Sequence, residues 1–222
     1  MRKGHALDLE YGHFLRLIPD GAKCIDIGSG VGYLATYLTE HGRPCVATEI
    51  TPERGLREDT VLTWHETDGI HLGNFEPHGT YDAVVSTQVI EHFHPDDVEE
   101  HFRGACALLR PGGKYVFNTP HAFLGPQDLS RVFLLDRPRF MHLKEYTHRD
   151  LGEIASRAGF SNVTAVYIPP SSIRRRLPLV LNSHLLYLYL TGMERLLAGV
   201  RLPPLLLRAM LFSGDVFMTA TK

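Results

Sequence analysis

The stretch CIDIGSGVGYLATYLTEHGRPCVATEI, residues 24–50, constrains the fold more than any other part of the chain. An apolar run closes on Asp26, and glycines follow at positions 28, 30 and 32. A helical pattern then carries Leu34, Tyr37 and Leu38 on one face, and a second apolar run ends at Glu49. That order is strand, glycine turn, helix, strand, the unit from which parallel sheets with ligand-binding turns are built. Dinucleotide sites space their glycines G-x-G-x-x-G, the third glycine allowing helix and strand to pack closely. Here that third position is Tyr33 and the spacing is G-x-G-x-G. The loop suits an adenosine-bearing ligand without a bridging pyrophosphate, and this spacing weighs against a NAD-dependent oxidoreductase. Glu49, at the end of the second strand, is placed to accept hydrogen bonds from ribose hydroxyls.

The rest of the chain alternates strands and helices. Residues 5–18 read as one amphipathic helix closed by Pro19. VLTWHE is a third strand and YDAVVST a fourth. A helix capped by His94, with Pro95 at its first position and acids in its first turn, follows to about Leu109. KYVFNT is a fifth strand, and residues 121–146 form a long loop with a short helix. THRD resembles a capping box opening a helix that ends at Gly159. VTAVYI and DVFMTAT are the last two strands. The expected fold is α/β: a Rossmann-like, seven-stranded, mostly parallel sheet with helices on both faces and a helical insertion between the last two strands. A single domain spans 1–222, with an N-terminal helix to residue 20, a cofactor-binding core over 20–168, an insertion or lid over 171–212 and the last strand over 213–222.

A length of 222 residues supports one buried core, and a net charge of -2 lacks the basic footprint of a general nucleic-acid binder. Three cysteines make no disulfide framework, which points to a reduced, cytoplasmic setting. The opening MRKGHALDLEYGHF has no apolar segment of the kind that marks a signal peptide. The leucine-rich stretch from Ile173 to Phe212 is interrupted by Pro178, Asn182, Ser183, His184, Glu194, Arg195 and Arg201. No uninterrupted run reaches the roughly 20 residues that a membrane span needs. It reads as packing or lid helices. A dimer surface is an alternative, as is a peripheral contact with lipid, where Arg174–Arg176 would meet anionic headgroups.

Five segments in this order, IDIGSGVG, TEI, TDG, YDAVVSTQVIEHF and LLRPGGKYVFNTP, together with HLKEYTHRDLGEIASRAGF, resemble the class I S-adenosylmethionine-dependent methyltransferases. The similarity extends over roughly residues 20–165 plus the last strand, and lies with the small-molecule group that includes the quinone-biosynthesis O-methyltransferases. By this resemblance S-adenosyl-L-methionine is the cofactor. Asp26, Gly28 and Gly30 border its methionine end, Glu49 holds the ribose, Asp68 with Gly69 meets the adenine, and Gln88 lies beneath the methionine portion. Gly32 serves close helix packing. A carboxylate, an ammonium and a sulfonium need close backbone approach rather than a phosphate cradle, which accounts for the glycine spacing.

Methyl transfer asks the protein to position an acceptor and manage its proton, and histidine is the usual proton acceptor near neutral pH. His92, His121 and His142 are the candidate catalytic residues. His92 and His121 follow strands four and five, the rim where open α/β sheets bind ligands, and His142 sits in the loop that can fold over that rim. Related O-methyltransferases, and the small-RNA 2′-O-methyltransferases, carry Glu-x-x-Glu-His here and hold a divalent ion. This chain reads Gln88-Val-Ile-Glu91-His92, so one anionic ligand is replaced by an amide. The expectation is therefore no metal, with Glu91, His92 and His142 as the alternative set. The resemblance implies a small-molecule acceptor, methylated at oxygen before nitrogen, with a lipophilic one within reach. No motif for DNA-base methylation follows strand four. Metal-assisted RNA 2′-O-methylation and a non-catalytic cofactor-binding scaffold are the competing readings.

Overall fold

The computed structural model describes residues 2–51, 62–74, 77–133, 135, 137–175, 179–200, 202–211 and 214–222. Eight strands form one sheet: β1 (Cys24–Ile27), β2 (Cys45–Glu49), β3 (Thr63–Glu66), β4 (Tyr81–Thr87), β5 (Leu109–Pro120), β6 (Asn162–Tyr167), β7 (Leu181–Ser183) and β8 (Asp215–Thr221). Their order is β3-β2-β1-β4-β5-β8-β6-β7. The β1–β2, β2–β3, β1–β4 and β4–β5 pairs are parallel, whereas β8 runs antiparallel between β5 and β6. The Rossmann-like sheet is thus as expected, with one strand more. Leu181–Ser183, inside the insertion, pairs antiparallel with β6 and covers its outer backbone edge.

Among the described residues eight α-helices flank the sheet: α1 (Arg2–Tyr11), α2 (Phe14–Leu17), α3 (Tyr33–Glu40), α4 (Val98–Leu108), α5 (His148–Arg157), α6 (Ser171–Arg174), α7 (His184–Leu197) and α8 (Pro204–Leu211). Two expectations are corrected. The single N-terminal helix is broken at Gly12 and His13 into α1 and α2, so the His13 ring turns inward beside Phe14 and Phe217, with ring centroids 4.5 and 5.3 Å away. The helix after β4 begins at Val98 with Asp97 at its cap, not at His94. His94 instead accepts the Asp97 N–H in a preceding turn. The capping box at Thr147 and Asp150 is present with both of its hydrogen bonds.

Strand alternation divides the core. Tyr115 and Phe117 of β5 pack with Phe102 of α4 and Leu151 of α5 on one face. Val116, between them, packs with Phe14 of α2 and Leu34 and Leu38 of α3 on the other. A third cluster, Leu190, Leu197, Leu207 and Leu211 with Leu124 and Ala165, seats the insertion. Its docking requires a side-chain gap on α5, since a Cβ at Gly152 would stand 2.0 Å from the Tyr187 hydroxyl of α7. Among the described residues no helix is long and apolar enough to cross a membrane.

Candidate active site

The carboxyl ends of β1, β2, β4 and β5 lie at one rim, the side on which open parallel sheets bind ligands. Glu49 ends β2, and its Oε2 accepts the Gly30 N–H at 2.9 Å, while Oε1 accepts the Ile50 N–H at 3.1 Å. The acid thereby ties the glycine loop to the neighbouring strand. Gly30 has φ +56° and nothing within 4 Å of the place a Cβ would occupy, so the loop borders open space. At Gly28 a Cβ would stand 2.7 Å from the Val89 side chain. Gly32, the N-cap of α3, lets the start of that helix pack closely on the sheet, because a Cβ there would strike the Trp64 ring of β3 at 2.8 Å.

Asp26 is buried, and its Oδ2 has no hydrogen-bond partner. Desolvation, with a smaller push from Glu49, raises its carboxyl to about 7. A buried carboxylate oxygen without a donor fits a cationic group on a bound molecule. Gln88, just past β4, has φ 55°, the one positive value among the described non-glycine residues. Such strain collects where a fold over-determines its site. Asp68 is engaged locally: Oδ1 accepts the Ile70 and His71 N–H groups at 2.8 and 2.9 Å, and Oδ2 meets His71 Nδ1 at 2.6 Å. Gly69 is buried, and its carbonyl accepts from His101 Nδ1 at 2.5 Å. Nε2 of that ring meets the Tyr115 hydroxyl at 2.6 Å, which in turn meets Ser86 Oγ at 2.7 Å. This buried relay braces the rim from beneath, and on the sequence it reads only as an apolar helix face.

The candidate histidines separate into two groups. Leu143 donates its N–H to the Glu91 carbonyl at 2.8 Å, so the 121–146 loop folds back onto the turn after β4. His92 and His142 come together there, ring centroids 5.3 Å apart. His92 Nδ1 lies 2.8 Å from the Met141 carbonyl, which can only accept, so this nitrogen carries the proton and Nε2 is bare. His142 Nδ1 is 3.0 Å from Glu145 Oε1, which leaves its Nε2 as the free nitrogen. Glu91 is fully buried, with Oε2 accepting from Thr119 Oγ1 at 2.8 Å and Oε1 unpartnered. One nitrogen of each ring and one Glu91 oxygen lie within 4.8 Å of one another. Burial raises the Glu91 carboxyl, and its hydrogen bonds, that from Thr119 among them, pull it back only in part.

His121 is elsewhere. Phe123 donates its N–H to Nδ1 at 3.1 Å, so Nε2 holds the proton and donates to Glu194 of α7 at 3.0 Å. His121 is fully buried with both nitrogens occupied, and it lies in a second His–His–Glu cluster with His148. The same Glu194 accepts the backbone N–H groups of His148 and Arg149 at 2.8 and 3.0 Å and the His148 ring at 2.8 Å. A carboxylate at the first turn of α5 with four donors is a fastening for the insertion.

Residues 5–165 match the sequence profile of the methyltransferase domain. The chain belongs to that family. A Xanthomonas axonopodis pv. citri ubiquinone biosynthesis O-methyltransferase is 32% identical over 124 residues, covering 52% of this chain and 51% of its own. The namesake from Xanthomonas oryzae pv. oryzae is 30% identical over 142 residues, covering 57% and 56%. The chain thus spans about half the length of the curated relatives it matches. In fold it is similar to a S-adenosylmethionine-dependent methyltransferase from Archaeoglobus fulgidus, with TM-score 0.66, 17% identity and coverage of 98% and 94%. It is also similar to Burkholderia thailandensis 1,6-didemethyltoxoflavin-N1-methyltransferase, solved with bound 1,6-didemethyltoxoflavin and S-adenosylhomocysteine, with TM-score 0.55, 17% identity and coverage of 98% and 76%.

Proposed function

We propose that this chain is a S-adenosylmethionine-dependent methyltransferase acting on an oxygen of a small-molecule acceptor. The family match supports methyl transfer, and the rim supports the cofactor. Asp26 offers its bare carboxylate oxygen to the ammonium of the amino-acid tail, the open face of Gly30 admits that tail, and Glu49 has lone pairs left for the ribose. Bound S-adenosylmethionine supplies an electrophilic methyl group and leaves as a neutral thioether.

Oxygen is favoured by one observation: a Glu91 oxygen and one nitrogen each of His92 and His142 converge within 4.8 Å, and Glu91 Oε1 has no hydrogen-bond partner among the described residues. A neutral hydroxyl must lose a proton as the carbon–oxygen bond forms, and these groups accept protons. His142 is the base, Glu145 fixes its ring through Nδ1, and Glu91 stabilises the imidazolium that results. The test is release of S-adenosylhomocysteine with catechol as acceptor. His142→Asn lowers turnover by about 10²–10⁴-fold, with binding of S-adenosylhomocysteine unchanged. Unaltered turnover overturns the base assignment, and failure of the wild-type protein to bind S-adenosylhomocysteine overturns the whole reading.

The same three lone pairs favour a second reading, a divalent cation held by Glu91, His92 and His142 as Lewis acid. Each ring's Nδ1 is already engaged, the arrangement that orients a metal-ligating imidazole. Calorimetric titration with Mg²⁺ or Zn²⁺, repeated on Glu91→Gln, separates the two. Wild-type binding that the variant loses supports the cation, and no binding leaves the proton-transfer reading standing.

A further inference from the structure

Apart from the cofactor rim and the histidine cluster, a cavity of about 300 Å³ lies between the break in the N-terminal helix, the ends of β5, β6 and β8, and the first turn of the insertion. His13, Asn118, Ser171, Arg174, Asp215 and Phe217 line it. Three of these carry a buried polar atom without a partner: His13 Nδ1, Asn118 Oδ1 and Arg174 Nε. Native chains pair nearly all such atoms, and three orphans on one cavity of ligand size call for a common partner.

The chemistry of that partner follows from the donors. Arg174 uses Nη2 to hold the Leu9 carbonyl of α1, which fastens α6 over the cavity and leaves the Nε–H for an anionic oxygen. His13, its pKa pulled down to about 3 by burial and then by the Arg174 charge, stays neutral and offers one N–H and one bare nitrogen. Its ring stands edge-on to Phe217, so the cavity has an aromatic wall. Asn118 Oδ1 accepts from a hydroxyl or amine. The Asn118 carbonyl also receives the Gln88 N–H at 3.0 Å, which puts the cavity floor one hydrogen bond from the strained residue at the end of β4. Strand alternation turns Asn118 to this cavity while its neighbour Thr119 bonds Glu91 on the opposite face. A molecule spanning the rim would meet an anchor on one side and a proton acceptor on the other.

We propose that this cavity anchors the non-reacting end of the methyl acceptor, and that the acceptor is a small aromatic acid whose anionic group pairs with Arg174 while a hydroxyl or amine meets His13 and Asn118. The inference rests on the methyltransferase reading above and names the substrate class for it. It also gives the start of the insertion a task, closure of the acceptor cavity through Arg174.

The test uses 4-hydroxybenzoate and phenol, which share a ring and differ in the anionic group, titrated into the full chain saturated with S-adenosylhomocysteine. The acid binds about tenfold or more tightly than phenol, the effect of one charge-assisted hydrogen bond. Arg174→Leu abolishes the difference, Arg174→Lys keeps part of it, and His13→Ala weakens both ligands. Affinity for S-adenosylhomocysteine stays within about twofold in every variant, since a group outside the cofactor rim contributes little to it. Equal binding of acid and phenol, no binding of either, or preference for the acid surviving in Arg174→Leu overturns the proposal. Loss of S-adenosylhomocysteine affinity in Arg174→Leu also overturns it, by assigning the cavity to the cofactor. Failure of the wild-type protein to bind S-adenosylhomocysteine instead removes the underlying reading, so the two failures are distinguishable.

Discussion

Glu49 Oε2 accepts the backbone N–H of Gly30 at 2.9 Å, joining residues 19 positions apart at the ends of adjacent strands. The acid is thus a brace for the glycine loop even before it meets a ligand. Glu49→Ala removes both that brace and the proposed ribose acceptor. The expected outcome is a loss of about 1–3 kcal/mol in S-adenosylhomocysteine binding, with Glu49→Gln intermediate because it keeps one acceptor oxygen. Isothermal titration measures both. An unchanged dissociation constant in Glu49→Ala contradicts the assignment.

Asp26 makes cofactor affinity depend on pH. Its carboxyl is raised to about 7 in the folded chain, against 3.8 unperturbed, chiefly by desolvation. A folded-state pKa above the unfolded one means that the contribution of Asp26 to stability is full below about 3.8 and is lost as pH rises through about 7, because the folded chain holds the proton longer. A cationic ammonium favours the ionised form, so affinity rises over the same interval and levels off above it. Below pH 7 the slope approaches tenfold per unit at most. Asp26→Asn flattens the profile, and a profile unchanged in that variant rules out Asp26 as its source.

The parts of the site legible in the sequence are those fixed by neighbours along the chain. The glycine spacing after Asp26, the acid at Glu49 and the Thr147–Asp150 capping box are local signals, and their geometry follows from backbone rules. What the sequence hides depends on long-range contact. His121 looks like a rim base until Glu194, 73 residues later, accepts the hydrogen bond from its ring. His13 and Arg174 are 161 positions apart and share a cavity only because α6 folds onto α1. The extra strand β7 is three residues long, too short for alternation to be read, and exists because β6 leaves an open edge. At Asp68 the ordinary turn chemistry of Thr-Asp-Gly accounts for Oδ1 alone, and Oδ2 meets the His71 ring.

Glu194 is the fastening of the insertion, and its removal tests that role. Burial alone would raise its carboxyl, but the hydrogen bonds from His121 and His148 outweigh this and hold it well below the usual range. Its contribution is therefore full above the ordinary carboxylate pKa of 4.5 and is lost as pH falls through the depressed folded value. Glu194→Ala leaves two buried imidazoles and two helix N–H groups without their acceptor, at a cost of about 3–5 kcal/mol. Urea unfolding at neutral pH reads the loss, and the difference from wild type narrows in acid. A variant as stable as wild type would show the insertion to be held by its leucines alone.

Gln88 offers the sharpest separation of stability from function. Its φ of 55° is a conformation in which a side chain costs about 1–2 kcal/mol and glycine costs nothing. Gln88→Gly relieves that strain but adds about 0.5–1 kcal/mol of backbone entropy to the unfolded chain. The two nearly cancel, so stability holds or improves by up to about 1 kcal/mol. Cofactor binding moves the other way if the side chain lies beneath the methionine portion, because its amide is gone. Gln88→Ala keeps the strain and loses the amide, so it is less stable than Gln88→Gly and equally poor in binding S-adenosylhomocysteine. Thermal unfolding and titration on the pair decide the matter. If both variants bind as wild type does, the strain at the end of β4 serves the strand-to-turn geometry that presents Glu91 and His92, and the amide has no part in holding the cofactor.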